Sequence, residues 1–599
     1  MIIYDFDGLN IGQTNLPDGD YKLDDLSYQI ASNPLNFSKM LGDRVLKINL
    51  NWNRGSGTFG KGMSKFIELD VEQDYLNFYI YNPLNNSGDA SVEVAITEDD
   101  NGDFVYNTAN DDIWKKEIII KKNSNWQLIS IPLKEFTDGN TGGNGIFDAG
   151  FADSAGMVLQ VRLKFTKPAS SSVSDSYFID MLCFSEGRLR HGASILDLPE
   201  PFDKEGCRLG AHSRAGFINI GPEIEGLFPY DAAKKLKYIH SFHAFSNNGQ
   251  AIPNNLPGNS IKTILEQGYR PIITLEPLFS HLPLLHPSQP RLQNIINGDF
   301  DNYLFDFGKK LGEFNDTIIL RIMHEFDGNW YPWSISQNGQ NPKLFIQAYQ
   351  KIADVIRSAG ADKVLMMWSP NSSPVPSRAY NWSINAYPGD DFVDIVGTSI
   401  YNHPLTGSAD WKSFRYLGAE IFYYLEKYFP KKPIIIAELG IRERYSGEPL
   451  SSQTKGGWIG QMDNDLQSLF SHVKGLVFFH ELKEHDWRIN SSPATLAAVR
   501  EYIWNDNYYF NEVSTGINYL LEGSTFKVYP NPSKDGFTFV NSSNLQAQTR
   551  LYAITGQNLQ SHVLNPGEVW HFGQELIPGL YILEISHGEY LESKKLIKR

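Results

Sequence analysis

The sequence predicts an α/β protein: a (β/α)8 barrel flanked by a jelly-roll-like N-terminal β-sandwich and a C-terminal all-β, Ig-like domain. Three observations predict it. Residues 1–186 hold short alternating apolar runs separated by Gly, Asn and Asp, with no useful helical period. From 206 to 505, eight apolar runs alternate with helical periods, the arithmetic of a closed barrel rather than of an open doubly wound sheet. From 524 to 599 the chain returns to short strands and turn residues. The stretches 187–205 and 506–523 read as linkers. At about 150 residues per domain, the length allows roughly four domains, and a barrel alone can absorb about 250 residues.

In the N-terminal region the strand-like runs are Val45–Leu50, Phe66–Val71, Leu76–Tyr81, Val92–Ile96, Glu117–Ile120, Trp126–Pro132 and Val158–Phe165. The barrel strands are predicted at Arg208–Ser213, Tyr238–Phe245, Pro271–Pro277, Thr317–Met323, Val364–Pro370, Asp394–Ile400, Pro433–Leu439 and Gly475–Glu481. Helical periods fall at Ser260–Gln267, Asp301–Phe314, Pro342–Ala359, Phe414–Tyr428, Met462–Val473 and Pro493–Trp504. Asn341-Pro342 and Ser492-Pro493 are helix starts, a capping side chain followed by Pro in the first turn.

Composition narrows the function. With 53 Lys plus Arg against 69 Asp plus Glu, the net charge is −16, and no basic cluster is present. Such a chain repels phosphate backbones, so nucleic acid is not expected as a partner. No run of 18 apolar residues occurs, so no membrane-spanning helix is expected. Cys183 and Cys207 alone cannot build a disulfide framework or a Cys-rich zinc site. Met1–Asp7 lacks the basic-then-apolar pattern of a signal peptide.

Catalytic groups of a barrel sit where its strands end. Two predicted strands end in Glu: the fourth runs Arg321-Ile-Met-His324-Glu325-Phe-Asp327-Gly-Asn-Trp330-Tyr-Pro-Trp333, and the seventh runs Ile434-Ile-Ile-Ala-Glu438-Leu-Gly440. A carboxylate directly after a buried apolar run is costly unless it faces a polar site. Paired carboxylates among aromatics suit glycoside hydrolysis, one as general acid and one as nucleophile. For a single strand-end Glu, an ordinary salt bridge explains the residue equally well. Eight of the 12 Trp lie between 206 and 505, among them Trp330, Trp333, Trp368 and Trp487, where flat rings could stack on sugar faces or serve as core. Lys483, Asp486 and Trp487 follow the eighth strand and either line the cleft or form a structural loop. Arg321, four residues before Glu325, either holds a carboxylate ionised or neutralises the barrel interior. Two strings are decoys. Gly55-Ser-Gly57-Thr-Phe-Gly60 has no helix start after it to hold a pyrophosphate. His480 and His485 are spaced one residue too far for a helical zinc pair.

His324-Glu325-x-x-Gly328-x-Trp330, Glu438, and Asp394-Ile-Val-Gly397-x-x-x-Tyr401 together resemble glycoside hydrolase family 26, over about 206–505. The resemblance implies a retaining endo-β-glycanase, endo-β-1,4-mannanase first, with β-1,3-1,4-glucanase or β-1,3-xylanase as alternatives. A polysaccharide-binding protein on a degenerate barrel is the non-enzymatic alternative. The resemblance also implies Glu325 as acid/base and Glu438 as nucleophile, with no cofactor for catalysis. His324 would adjoin the acid/base, Trp330 would form a sugar platform, and Tyr401 would hydrogen-bond the nucleophile. Asp327 departs from the usual family Asn and either raises the pKa of Glu325 or points into solvent. Trp330-Tyr-Pro-Trp333 and the segment 480–488 look more like members acting on mixed-linkage glucan or xylan. Tyr4–Asp7 and Phe178–Met181 resemble the edge strands of a carbohydrate-binding sandwich, in which Asp5, Asp7 and Asp180 are candidate ligands of a structural Ca²⁺. Trp52, Trp114 and Trp126 are either its sugar platform or its core. Finally, Val528-Tyr-Pro530-Asn-Pro532, Leu551–Gly556, Gly579-Leu-Tyr581 and Lys594-Lys595-Leu596 resemble the type A sorting domain of the type IX secretion system. That implies outer-membrane secretion machinery as a partner and an extracellular or cell-surface location, the export signal lying outside these residues.

Overall fold

The structure is a computed structural model. It describes residues 2–598 apart from 8, 10, 17–18, 36–40, 64–66, 104, 149–156, 169–173, 187–205, 230–233, 247–255, 404–410, 445–453, 471, 511–525, 530–532, 542–545, 554–557 and 588–589. The predicted linker 187–205 and most of 506–523 therefore lie outside the described residues. The chain forms two compact units, Met1–Val513 and Ser514–Arg599.

The first unit begins with a sandwich of two antiparallel sheets. One has the strand order Leu26–Ser32, Arg44–Asn51, Ser174–Glu186, Asp74–Tyr81, Gln127–Pro132, with Ile2–Tyr4 also pairing with Ser174–Glu186. The other runs Thr137–Asp138, Ile113–Ile120, Ala90–Asp99, Met157–Thr166, Ser56–Gly62, Asp20–Asp24. Alternate residues such as Ile48, Phe78, Val94 and Leu163 interlock between the sheets. The expected strand at Phe66–Val71 is not formed, since the described residues 67–71 run without ladder pairing. The ladder is instead made by the Gly-rich string: Ser56–Gly62 pairs with Met157–Thr166 and Asp20–Asp24. Gly60 is needed there because a Cβ would lie 2.1 Å from the Tyr21 ring. Gly57 and Gly60 of the dinucleotide-like string are thus packing glycines of a strand, and Gly55 precedes it at φ 87°.

Eight parallel strands close the barrel: Arg208–Ser213, Tyr238–Ser246, Arg270–Phe279, Ile318–Ile322, Val364–Trp368, Ile395–Asn402, Ile434–Ile441 and Val473–His480, the first pairing back to the eighth. Most intervening helices match the sequence reading, and Phe414–Tyr428 does so end to end, capped by Ser413, which accepts from Tyr416 N–H. The helix expected at Met462–Val473 instead spans Lys455–Ser468, and Val473 opens the eighth strand. Its start was hidden by Lys455-Gly-Gly, a poor helix opening on propensity, which Thr454 rescues by capping Gly457 N–H at 3.1 Å. The last expected helix is α-helical over Pro493–Ala498 and widens into a π-helical turn over Val499–Trp504.

Helix Phe414–Tyr428 is buried nearly all round, which a barrel helix with a free outer face would not be. The sandwich covers that face. Tyr416 packs edge-on to Tyr4 at 5.1 Å, and Ala419 joins Tyr79, Trp126 and Met181 in one apolar cluster.

In the second unit, a three-stranded sheet (Phe526–Tyr529, Phe537–Asn541, Val569–Phe572) and a four-stranded sheet (Asn558–Leu564, Ala547–Ala553, Gly579–His587, Tyr590–Lys598) share a core of Phe537, Phe539, Leu551, Leu583 and Leu596.

Candidate active site

The fourth barrel strand ends at Ile322, and the next residues turn sharply: Met323 and Glu325 both lie in the left-handed region, at φ 47° and 50°. Such conformations cost about 1–3 kcal/mol each in non-Gly residues and persist only where neighbours hold them. Three hydrogen bonds do so. Met323 N–H donates to Leu275 O (3.2 Å), Glu325 N–H to Ser369 O (2.9 Å), and Trp333 Nε1 to His324 O (2.8 Å). Glu325 is therefore beyond the strand and does not share a strand face with Arg321. Its Oε2 accepts from Trp330 Nε1 at 3.1 Å. Gly328 permits this return of the chain, because a Cβ there would meet the Trp330 indole at 2.6 Å. Burial, with the Glu438 charge beside it, pushes the Glu325 carboxyl up to about 7.

Glu438, near the end of the seventh strand, is held from both sides. Arg321 Nη1 donates to Oε1, and the Tyr401 hydroxyl donates to Oε2 at 2.6 Å. The fully buried Arg321 also donates through Nη2 to Ser399 Oγ (2.7 Å), and the Ser399 hydroxyl hydrogen-bonds Glu325. The two carboxyl groups are thus tied together through Arg321 and Ser399. His324 Nε2 is 3.0 Å from the Tyr331 hydroxyl and 3.9 Å from Glu438 Oε1. Burial, then the Arg321 and Lys483 cations, pull its pKa well below the usual value, so the ring is neutral.

These groups open onto a cleft of about 790 Å³, lined on its aromatic side by Trp330, Tyr331, Tyr401, Phe479 and Trp487. Trp487 packs edge-on to Tyr401 at 5.1 Å. Trp333 and Trp368, expected as sugar platforms, are 1% and 0% exposed and belong to the barrel core. Trp333 stacks under Tyr331 (4.4 Å, 9°), and Trp368 packs on Phe326, Tyr387 and Phe429. Trp333 lies beneath the Tyr331 and His324 rings, and Trp368 is turned into the core against Phe429. Asp486 is taken by Arg488 at 2.7 Å, while Lys483 lines the cleft. Asp327 points into the protein rather than into solvent. Its Oδ1 accepts from Asn371 N–H (2.8 Å), its Oδ2 is buried without a partner, and burial pushes its carboxyl up to about 8.

Two further strand-end carboxylates escaped the sequence reading. Glu276 ends the apolar run of the third strand, and Glu481 follows the eighth, where it accepts from His212 Nε2 (3.0 Å) and Arg214 Nε (2.9 Å). The signal that exposed Glu438, a Glu after buried aliphatics, was present in Ile272-Ile-Thr-Leu-Glu276 and in Val477-Phe-Phe-His-Glu481.

The expected Ca²⁺ ligands Asp5, Asp7 and Asp180 do come together, at the junction of sandwich and barrel, but most of their oxygens are otherwise engaged, Asp180 Oδ2 alone being buried without a hydrogen-bond partner. Asp5 Oδ2 accepts from Ser413 Oγ (2.6 Å) and lies 3.4 Å from Arg415 Nε. Asp7 accepts from Arg44 N–H (3.1 Å) and Gln461 Nε2 (3.0 Å), and Asp180 Oδ1 from Met181 N–H. A guanidinium beside the cluster supplies the positive charge, and this arrangement does not fit Ca²⁺. Among the described residues, no group of three or more His, Cys, Asp or Glu is placed to hold a metal ion. Trp52, Trp114 and Trp126 are buried in the sandwich and provide no platform.

Comparison with known proteins bears on the same residues. Residues 284–445, which include Glu325 and Tyr401, match the model of glycosyl hydrolase family 26. The barrel carries a glycosyl hydrolase family 26 domain. Residues 527–599 match the secretion system C-terminal sorting domain, so the second unit is a sorting domain. The chain is 34% identical over 214 residues to endoglucanase H of Acetivibrio thermocellus, covering 35% of this chain and 23% of that protein. It is 33% identical over 113 residues to β-1,3-xylanase TXYA of a Vibrio species, covering 18% and 22%. The chain thus spans less than a quarter of either relative. A solved Cellulomonas fimi endo-β-1,4-mannanase double mutant aligns at 14% identity over 67% of this chain and 95% of its own, with a TM-score of 0.40.

Proposed function

We propose that the glycosyl hydrolase family 26 barrel is a retaining endo-β-glycanase, that its substrate is a β-linked backbone polysaccharide, and that the chain is exported through its sorting domain. The observation that carries the reading is the pairing of Glu325 and Glu438 through Arg321 and Ser399, with opposite chemistry on the two carboxyls. Glu438, hydrogen-bonded by Arg321 and Tyr401, attacks the anomeric carbon. Glu325, protonated in its buried position, donates its proton to the leaving glycosidic oxygen. Water then enters, Glu325 removes its proton, and the glycosyl–Glu438 bond breaks with net retention. Arg321 and Tyr401 orient the nucleophile, and the Trp330 indole N–H fixes the acid in place.

For the backbone we put β-glucan ahead of mannan. This preference is supported by the longer and more similar stretch shared with endoglucanase H than with the mannan endo-1,4-β-mannosidase of Bacillus subtilis, which is 27% identical over 90 residues. The test is product release from barley β-glucan, glucomannan, galactomannan and β-1,3-xylan by wild type and Glu438→Ala, with the anomer of the first product followed by NMR. Release of the β-anomer by wild type alone supports the reading and names the backbone. Release of the α-anomer overturns the double displacement, and no release from any of the four overturns the glycanase.

A further inference from the structure

We propose that Glu276 is a substrate-binding residue, a carboxyl that takes hydroxyl groups of the sugar lying against Glu438. This inference rests on the glycanase reading of the cleft and names a residue that sets its grip on the sugar.

Glu276 stands near the end of the third barrel strand and lines the same cleft as Glu325 and Glu438. The charged groups that act on it most are Glu438, Arg321, Lys483 and Glu325, so it sits among the catalytic groups rather than on an outer wall. Its natural partner, Arg321, is already committed to Glu438 and Ser399. Among the described residues, neither the Glu276 carboxyl nor the Lys483 ammonium is hydrogen-bonded or ion-paired to another side chain. Glu276 is only half-buried, so its carboxyl opens onto the cleft, where water or a ligand hydroxyl supplies the hydrogen bonds that no side chain does. The other carboxyls of the cleft are all engaged: Glu325 by Trp330 and Ser399, Glu438 by Arg321 and Tyr401, Glu481 by His212 and Arg214. Glu276 is the exception, and it faces the space where the sugar must lie for Glu438 to reach it.

The chemistry fits a neutral sugar. Burial and the nearby Glu438 charge push the Glu276 carboxyl up to about 8. At neutral pH it is therefore a carboxylic acid, with one O–H to donate and lone pairs to accept, the same dual capacity that a sugar hydroxyl has. It adds no second negative charge beside the nucleophile.

The test compares Glu276→Gln, which keeps size, donor and acceptor, with Glu276→Met, which keeps only size. On whichever polysaccharide the wild type cleaves, Glu276→Gln is expected to hold kcat/KM within about 5-fold, and Glu276→Met to lose about 10- to 100-fold, mostly in KM. Glu276→Met within 2-fold of wild type overturns the proposal. So does an equal loss in both variants accompanied by a shifted pH profile, because that would make Glu276 an electrostatic group acting through Glu325 and Glu438. Thermal melting checks that both fold, with Glu276→Ala replacing the Met variant if it does not. Affinity electrophoresis in barley β-glucan separates this inference from the glycanase reading. If wild type cleaves nothing, retardation of Glu438→Ala that is lost in Glu438→Ala/Glu276→Met supports the Glu276 assignment alone, and absent or equal retardation overturns it as well.

Discussion

The molecule contains two buried clusters of carboxylates built round one arginine, and they do opposite work. In the barrel mouth Arg321 meets Glu438, with Glu325 and Glu276 beside them. At the junction of sandwich and barrel, Arg415 meets Asp465 (2.7 Å) and Asp5 (3.4 Å), with Asp7 and Asp180 beside them. The ingredients match, and the closure does not. Around Arg415 the acids are buried against Ser413, Gln461 and the two packed domains, with the guanidinium as their cation. Around Arg321 the acids open onto a 790 Å³ cleft, on a backbone strained at Met323 and Glu325. An acid cluster becomes a candidate for chemistry when one of its members keeps an unfilled hydrogen-bonding position facing a space that a substrate can enter.

The sharpest way to break this comparison is to remove one member from each cluster. Glu438→Ala should lower kcat by about 10³-fold or more, as nucleophile removals do, while the melting temperature stays within a few degrees. Arg415→Met should do the reverse. It leaves Asp465 and Asp5 buried without their cation, which typically costs about 3–5 kcal/mol, while kcat per folded molecule is unchanged. Both are read by calorimetry alongside initial rates. If Arg415→Met abolishes turnover in protein that is still folded, the junction is part of the active site and the division drawn above fails.

A smaller effect sharpens the role of Glu325. In its proposed role as general acid Glu325 must be protonated to act, and its carboxyl is pushed up to about 7 by burial and by Glu438. The protonated fraction is therefore nearly complete below pH 6 and falls about tenfold per pH unit above 7. The kcat/KM profile should show an alkaline limb near 7 in wild type. That limb should disappear in Glu325→Ala acting on an aryl glycoside with a good leaving group, which needs no acid. An unmoved limb in that variant would assign the ionisation to another group, Glu276 being the first alternative.

Much of this was legible in the sequence, and the failures share one cause. Barrel strands were visible because parallel strands buried on both faces read as aliphatic runs such as Ile434–Ile436. Glu325 and Glu438 stood out because each follows such a run and is accompanied by nearby motif residues. Glu276 carries the same signature, but it was absorbed into a strand read through to Pro277. Trp333 and Trp368 were misplaced because an aromatic at or after a strand end gives no sign of whether it lines the cleft or packs into the core. That choice is made by neighbours far along the chain, such as Phe429 against Trp368. The same holds for Asp5, Asp7 and Asp180. Their proximity was legible, but the cation that neutralises them enters from residue 415.

Asp327 supplies a third case, a buried carboxyl with neither an arginine nor a cleft, and the smallest effect. Burial raises it to about 8, with no cation among the principal influences on it. A group whose folded pKa lies above its unfolded value contributes stability that is complete below the unfolded pKa and is lost as pH rises through the folded one. The loss here begins near pH 4 and continues to about 8. Asn at this position cannot ionise, and it brings an N–H₂ to the place of the unpartnered Oδ2, close to Asn381, whose own Oδ1 lacks a donor while its Nδ2 donates to Asp327 O at 2.5 Å. Asp327→Asn should therefore stabilise the first unit by on the order of 1 kcal/mol at pH 6, and by more at pH 8, with kcat little changed. Melting curves of both proteins at the two pH values read this directly. A gap that widens with pH identifies Asp327 as a structural acid kept neutral by burial. A variant that melts lower at both pH values, or that loses the alkaline limb of Glu325, would instead make Asp327 part of the proton chemistry of the cleft.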